Sequence, residues 1–285
     1  MKKLLTLQFL LLIGISFSFS QQIDSTKTVR VLLKDDNEII GHIIAKDSVN
    51  TTVRGLTGIV SVIPKSQITE IKVLKGMIIG NEYYKPDPAD NRIMAFPTAR
   101  PLKSGQVQFN AVELLFPHLI FGVTDYVNIG IGGLPIVTNG SGTFVYVLSS
   151  KITPVNFKEA AVSLGEAILG STSTNGIVGV AYAVGTFGDE LRSFTVGPFM
   201  AFSSDAVYKR PAILLGGQTR ISKSSSLLTE NVFLFGNETE DFFCFPSIGI
   251  RFSGENLAAD FGTYAVVSKK GFFYPIPWIG LSYRF

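Results

Sequence analysis

The fold is decided at the C-terminal end of the chain, where residues 273–285 read FYPIPWIGLSYRF. Alternate residues here separate into two sets, as they do on the two faces of a β-strand. One set is almost wholly apolar: Phe273, Pro275, Pro277, Ile279, Leu281, Tyr283 and Phe285. The other set mixes apolar, small and charged residues: Ile276, Trp278, Gly280, Ser282 and Arg284. The pattern predicts a strand with one face suited to hydrocarbon and the other to a mixed interior.

The same alternation recurs upstream, where Leu257 and Phe261 oppose Asp260, and where Ile250 and Phe252 oppose Arg251. Apolar runs between turn residues predict strands near residues 105–115, 118–124, 126–135, 143–152, 160–169, 176–187, 192–203, 210–221, 226–236, 242–253, 256–267 and 273–285. Membrane-spanning strands need about 9–11 residues, and short turns alternate with longer loops in outer-membrane barrels. The sequence therefore predicts an all-β fold: an antiparallel transmembrane β-barrel of about 12 strands, with a small N-terminal β-barrel-like domain.

The composition excludes several other classes of protein. The 285 residues are 46% apolar and 16% charged, whereas soluble domains carry about 25% charged residues. The longest apolar stretch after the N-terminus is interrupted by polar residues and prolines, so it is not predicted to be a membrane-spanning helix. A chain that spans a membrane without helices must form a closed barrel, because lipid cannot satisfy an open strand edge. With 25 basic against 22 acidic residues, nothing indicates a nucleic-acid partner. One cysteine, Cys244, and two histidines give no basis for a disulfide, a metal site or a cofactor.

The N-terminal part divides into three segments. Residues 1–20 have the charge, apolar core and small residues of a cleaved signal peptide, with an N-terminal membrane anchor as the alternative. Residues 28–75 hold five short β-branched runs, which predict a small periplasmic β module. Residues 76–104 contain several prolines and predict an irregular linker before the barrel of residues 105–285.

Two resemblances follow from these residues. The leader, the Gly122–Asp125 link and the aromatic C-terminus resemble uncharacterised outer-membrane β-barrel proteins of Bacteroidetes. Within that resemblance, Trp278, Tyr283 and Phe285 are similar to the signal that the outer-membrane assembly machinery reads. The turn spacing around Gly41, Gly58 and Pro64 resembles Sm-like or SH3-like modules. The first resemblance implies an outer-membrane location and brings no catalytic residue.

The candidate functional residues are charges predicted to point into the barrel. If the apolar faces contact lipid, five successive strands direct these side chains inward: Arg220, Glu230, Arg251, Asp260 and Arg284. They form either an interior ladder of ion pairs or a charged constriction that selects solutes. A hydrolytic site would require His42 or His118 beside a serine. Glu113 and Ser171 are conceivable neighbours of His118, and a structural role is the simpler interpretation for both histidines.

Four functions remain open at this stage. The first is an outer-membrane protein acting as a narrow channel or uptake protein, because 12 strands enclose a modest lumen. The second is a non-enzymatic anchoring protein whose residues 28–75 bind a periplasmic partner. The third is a barrel-embedded hydrolase, and the fourth a soluble exported β-sandwich. The expected partners are outer-membrane lipid and the assembly machinery.

Overall fold

A computed structural model describes residues 26–113, 116–138, 141–174, 176–207, 212–235, 243–268 and 271–285. The segment expected to be a signal peptide, residues 1–20, lies outside these ranges. The chain divides into two compact units, with the boundary after Leu74.

The first unit is a five-stranded antiparallel sheet. Its strands are β1 (Thr28–Leu33), β2 (Glu38–Lys46), β3 (Asn50–Gly55), β4 (Val60–Pro64) and β5 (Ile68–Val73), in the order β4-β3-β2-β1-β5. Inward residues of four strands form its core: Val29, Val31, Ile43, Val53 and Ile63. The turn between β3 and β4 contains Gly58 at φ 86°, a conformation that glycine adopts without steric cost. The number of strands equals the number of β-branched runs expected in residues 28–75.

The second unit begins with a hairpin, β6 (Met77–Ile79) and β7 (Glu82–Tyr84), and continues into a large sheet. The strands of that sheet are β8 (Val107–Val112), β9 (Phe116–Gly122), β10 (Val127–Thr138), β11 (Ser141–Asn156), β12 (Ala160–Ser171), β13 (Ile177–Gly188), β14 (Arg192–Ser203), β15 (Ala212–Arg220), β16 (Ser225–Leu234), β17 (Phe243–Phe245), β18 (Ser247–Ser253), β19 (Leu257–Ser268) and β20 (Gly271–Arg284).

The sheet closes on itself. Strand β8 pairs antiparallel with β9 on one side and with β20 on the other, where Val112 lies opposite Gly280 and Gln108 opposite Arg284. Because β17 and β18 both lie between β16 and β19, they are two parts of one barrel strand. In the described residues the wall is therefore a closed antiparallel barrel of twelve strands, which confirms the predicted fold class and rules out a β-sandwich.

Two prolines lie at two of the places where the strands differ from expectation. Strand β11 extends past the expected end at residue 152, because its pairing with β12 shifts register between Ile152 and Val155, around Pro154. Such a bulge accommodates a residue that has no N–H to donate. Pro246 has the same deficit and separates β17 from β18.

The outer face of the barrel is apolar. Side chains that project outward along the middle of the strands remain about half exposed, including Ile131 (54%), Leu164 (52%) and Phe261 (51%). Glu166, beside Ser150, is a polar exception on this face. A continuous apolar exterior on a closed barrel is the surface that a bilayer covers. Within the described ranges, no helix has the length and hydropathy required to cross a membrane.

The inner face carries polar and charged groups. Residues that alternate with the apolar positions are buried, and Arg251, Asp260 and Ser282 have no exposed surface. The predicted sorting of the two faces is confirmed by this burial in β18, where buried and exposed residues alternate strictly, and in residues 257–261 of β19 and 278–285 of β20. Farther along, the pairing of β19 with β20 shifts register between Tyr264 and Val266, which a strict period of two does not predict.

A charge on the outer face tests the membrane contact. We expect Leu148→Arg, in the middle of β11 and 46% exposed, to cost about 2–4 kcal/mol of unfolding free energy in lipid vesicles. The matched control is Phe157→Arg, because Phe157 lies in the short turn after β11 and is 73% exposed. Urea unfolding followed by tryptophan fluorescence measures both, and equal losses in the two variants would contradict a lipid-facing Leu148.

Candidate functional site: the barrel lumen

The lumen is occupied by the chain itself. Residues 86–102, here called the inner segment, follow the β6–β7 hairpin and contain no helix or strand. Ala89, Met94, Ala99 and Leu102 have no exposed surface. The segment is enclosed because wall side chains all around the barrel bond to it, from β8, β10, β11, β12, β13, β16, β18 and β20.

The expected linker, residues 76–104, is thus irregular over most of its length but lies largely within the barrel. A buried irregular segment has backbone groups that no ladder satisfies, so side chains must do so. The wall meets this requirement at Ala99, whose N–H donates to Thr186 Oγ1 (2.8 Å) and whose carbonyl accepts from Ser163 Oγ (2.7 Å). Leu102 exchanges two hydrogen bonds with the side chain of Asn128.

Arg251 is the centre of the contact between wall and inner segment. Its Nε and Nη2 donate to Asp260 on the neighbouring strand, at 2.7 and 3.0 Å. Its Nη1 donates to Asp87 of the inner segment at 3.1 Å and to the Ala89 carbonyl at 3.0 Å. The carbonyl of Ile93 accepts from Nη2. The fully buried guanidinium therefore has acceptors from both the wall and the inner segment.

A second arginine completes this cluster. Arg92, in the inner segment, lies 2.6 Å from Asp260 and also donates to Ser282 on β20. Arg92 and Arg251 with Asp87 and Asp260 make two positive and two negative groups. Buried charges are tolerated when they are paired and hydrogen-bonded, which this neutral set achieves.

Glu230 binds the backbone of the inner segment. Its carboxylate accepts from the N–H groups of Met94 (2.9 Å), Ala95 (3.2 Å) and Phe96 (3.0 Å), and from the hydroxyl of Tyr264. Three successive N–H groups directed at one anion form a concave site that favours negative charge. The carboxylate thereby replaces the strand partner that this bend of the chain lacks.

The remaining two predicted charges lie at the edge of the lumen. Arg284 donates to Asp90 (2.6 Å) and to Gln108, and Arg220 donates to the carbonyl of Lys85. Of the five predicted residues, the structure brings only Arg251 and Asp260 into direct contact with each other among the described ion pairs. Each of the others bonds to residues 85–96.

Sequence reasoning missed the partners within the inner segment. Asp87, Asp90 and Arg92 stand in a proline-rich stretch with no strand period, so their positions relative to the wall could not be derived. Lys151, an inward residue of β11 that donates to the carbonyls of Thr98 and Arg100, was also missed. The sequence could have identified Lys151, because a charged residue at an alternate position of an otherwise apolar strand is expected to point into the barrel.

A cavity of about 350 Å³ lies beside the inner segment. Ala95, Phe96 and Pro97 bound it on one side, and residues of β8 to β14 on the other. The wall contributes aliphatic and aromatic side chains there: Val112, Phe116, Ile120, Val147, Tyr182 and Phe199. The lumen therefore combines a fixed, charged part with an open, mainly apolar part.

His118 lies at this cavity, beside Ser149. Its Nε2 is 3.2 Å from Ser149 Oγ, across the intervening strand at Gly130. A Cβ at Gly130 would lie 2.3 Å from Ser149 Oγ and 2.5 Å from His118 Nε2, so glycine is required for the contact. Glu113, one conceivable neighbour, instead accepts a hydrogen bond from the N–H of Ile279. The second histidine, His42, contacts the Lys27 carbonyl in the first unit.

The three residues of the expected assembly signal occupy both faces of β20. Trp278 is 9% exposed and packs inside against Tyr264, with ring centroids 5.3 Å apart. Tyr283 and Phe285 project outward and contact each other at 4.9 Å. In the part of the chain that the structure describes, no group of three or more His, Cys, Asp or Glu could hold a metal ion.

The closed wall, apolar exterior and filled, charged interior define an outer-membrane-type β-barrel with an internal segment. No protein-family model and no curated protein sequence matches the chain. Among solved structures, "KdgM porin in complex with disordered oligogalacturonate" is 9% identical, with a TM-score of 0.46 over 63% of this chain and 98% of that one. "Outer-membrane expressed OmpT of Vibrio cholerae" is 12% identical, with a TM-score of 0.35 over 91% of this chain and 95% of that one. With scores this low, neither likeness bears on the activity of this chain.

Loss of one buried carboxylate tests the charge cluster. We expect Asp260→Asn to lower the unfolding free energy by about 3–5 kcal/mol, because Arg92 and Arg251 would share a single buried acid. The control is Asp205→Asn, in the exposed loop after β14. Urea midpoints and the temperature of the heat-induced gel shift measure the effect. Similar values for the two variants would show that the cluster contributes little.

Proposed function

We propose that the protein is a narrow outer-membrane channel or uptake protein in which the inner segment sets the bore. The observation that supports this most directly is the asymmetry of the lumen. Charged contacts hold residues 87–96 against β16 to β20, whereas a cavity of about 350 Å³ lies between Ala95–Pro97 and the inward side chains of β8 to β14. A solute would pass on that side.

The barrel size agrees with a small solute. Twelve strands enclose a lumen between those of filled eight-stranded barrels and open porins of 16 or more strands. The inner segment takes up part of that space, so passage of larger molecules would require it to move. In this proposal the five predicted charges act mainly as anchors of the segment, and the constriction lies between the segment and the opposite wall.

The location of the first unit belongs to the same proposal. The predicted leader, and the position of residues 28–75 before the barrel, support a periplasmic module. Its strand order and the 3-10 turn at Lys65–Gln67 favour the Sm-like or SH3-like interpretation. We also propose a Bacteroidetes affiliation, which the leader and the Gly122–Asp125 link support, and recognition of Phe285 by the assembly machinery, which the aromatic C-terminus supports.

The channel hypothesis predicts the effect of weakening one anchor. In Glu230→Gln the side chain keeps its size but loses its charge and one acceptor for the N–H groups of Met94–Phe96. A hydrogen bond to a charged group contributes about 1.5–3 kcal/mol. We therefore expect the state in which the inner segment has moved away from β16 to be populated at least about tenfold more than in wild type. Single-channel recordings in planar bilayers would show more frequent high-conductance openings than in wild type.

The matched control is Glu159→Gln, because Glu159 lies in the exposed turn between β11 and β12 and does not line the cavity. We expect wild-type conductance from it. The channel hypothesis would be wrong if wild type and Glu230→Gln, both folded by heat-modifiable gel mobility, conducted no better than protein-free bilayers.

A second candidate function is binding of a periplasmic protein by the first unit, with the barrel as anchor. Strand β4 is an edge of its sheet, and Ile59 (68%), Val60 (50%) and Val62 (63%) are exposed there. An edge strand with exposed apolar residues can pair with an extended segment of another chain.

Crosslinking in cells tests this second candidate on the whole protein. A photoreactive residue in place of Val62 is expected to give a discrete crosslinked species, and one in place of Lys65, in the neighbouring turn, is not. Absence of an adduct at Val62, or the same adducts at both positions, would argue against a partner at β4.

We propose no enzymatic activity. His118 and Ser149 lie at hydrogen-bond distance, but no carboxylate among the described residues bonds to the imidazole. A serine hydrolase needs a group that orients its histidine and donors that stabilise an oxyanion. The N–H groups of the wall strands near Ser149 are committed to the β-ladder with β10 and β12.

A further inference from the structure

The polar groups around the luminal cavity are mainly hydrogen-bond donors. Lys151 is 7% exposed, lines the cavity, and donates from Nζ to the carbonyls of Thr98 (3.1 Å) and Arg100 (2.6 Å). An ammonium carries three protons, so one donor remains. None of the described ion pairs involves Lys151, and the two acceptors of its ammonium are main-chain carbonyls.

Two asparagines that line the cavity add further donors. The side-chain oxygens of Asn91 and Asn110 both accept from Gln108 Nε2, at 2.9 and 2.8 Å, and Asn110 also accepts from Ser282. With their oxygens occupied, the amide nitrogens are the groups left to bind a ligand. Both residues line the cavity.

The one acidic residue at the cavity edge does not offset these donors. Glu166 occupies an outward position of β12, where its carboxylate lies 3.5 Å from Ser150 Oγ. The cavity lining therefore combines a buried cation and amide N–H groups with hydrocarbon and aromatic surface. A ligand that matches it has an anionic acceptor at one end and an apolar body.

We propose that this cavity binds a small monocarboxylate with an apolar body. The carboxylate accepts from Lys151 Nζ and from the amide nitrogens of Asn91 and Asn110. The apolar body lies among Phe116, Tyr182 and Phe199. The volume is within the range of small-molecule sites, about 300–1,000 Å³. The inference deepens the proposed function, on which it rests for the statement that such an acid is the solute carried.

Binding of 3-phenylpropionate to the full-length protein in a non-ionic detergent tests the proposal. Isothermal titration near neutral pH measures the dissociation constant, and 3-phenylpropan-1-ol, of similar shape but uncharged, is the matched ligand. We expect the acid to bind saturably. The dissociation constant of the alcohol should be larger by a factor of about ten or more, because a hydrogen bond to a charged group is lost.

Four variants separate the charge from the shape of the site. Lys151→Met should weaken binding of the acid about tenfold or more, whereas Lys151→Arg, which keeps the charge, should retain most of it. Val147→Phe narrows the cavity without touching the bonds of Lys151, and should weaken acid and alcohol alike. The control Lys158→Met lies in an exposed turn and should bind like wild type.

No saturable binding of the acid by the folded wild type would overturn the proposal. Equal binding by wild type, Lys151→Met and Val147→Phe would also overturn it, because the site would then lie elsewhere. Since the titration involves no membrane, its outcome is separate from conductance. A protein that conducts without binding the acid contradicts this inference alone, and one that binds without conducting contradicts the channel alone.

Discussion

The buried guanidinium of Arg251 is the constraint on which the rest of the barrel depends. Its position on β18 directs it inward, because the alternate positions of that strand contact the apolar exterior. A buried guanidinium needs acceptors for its N–H groups. Among the described wall residues Asp260 alone accepts from it, and the inner segment supplies the other acceptors through Asp87 and main-chain carbonyls. Wall and inner segment therefore stabilise each other.

The backbone of the inner segment, in turn, needs hydrogen-bond partners from the wall. A stretch without secondary structure can be buried only if its backbone groups find partners. Glu230 accepts from three of its N–H groups, and Ser163, Thr186 and Asn128 bind its later residues. The inward polar residues of the wall, which composition alone would present as the lining of an aqueous pore, are in large part ligands of this segment. What remains open is the cavity between Ala95–Pro97 and the mainly apolar inward side chains of β8 to β14.

The strands could be predicted from the sequence because their signal is local. A period of two, β-branched and aromatic residues, and turn residues between runs located all the barrel strands. The faces of β18, of residues 257–261 in β19 and of residues 278–285 in β20 were assigned correctly. Two of the errors have local causes as well, at Pro154 and Pro246, where a missing N–H shifts or interrupts the pairing without ending the strand. The inward direction of Arg251 and Asp260 followed from the same period.

The sequence by itself thus determined the class of fold, the positions of the strands and which charges face inward, because each depends on neighbours within a few residues along the chain. Only the tertiary structure decided what those charges bind. The contacts of Arg251 with Asp87 and of Glu230 with Met94 join residues more than a hundred positions apart. The sequence of the inner segment has no hydrophobic periodicity, so it does not indicate where the segment lies in the fold. Its location within the lumen depends on the space and the unsatisfied polar groups that barrel closure creates.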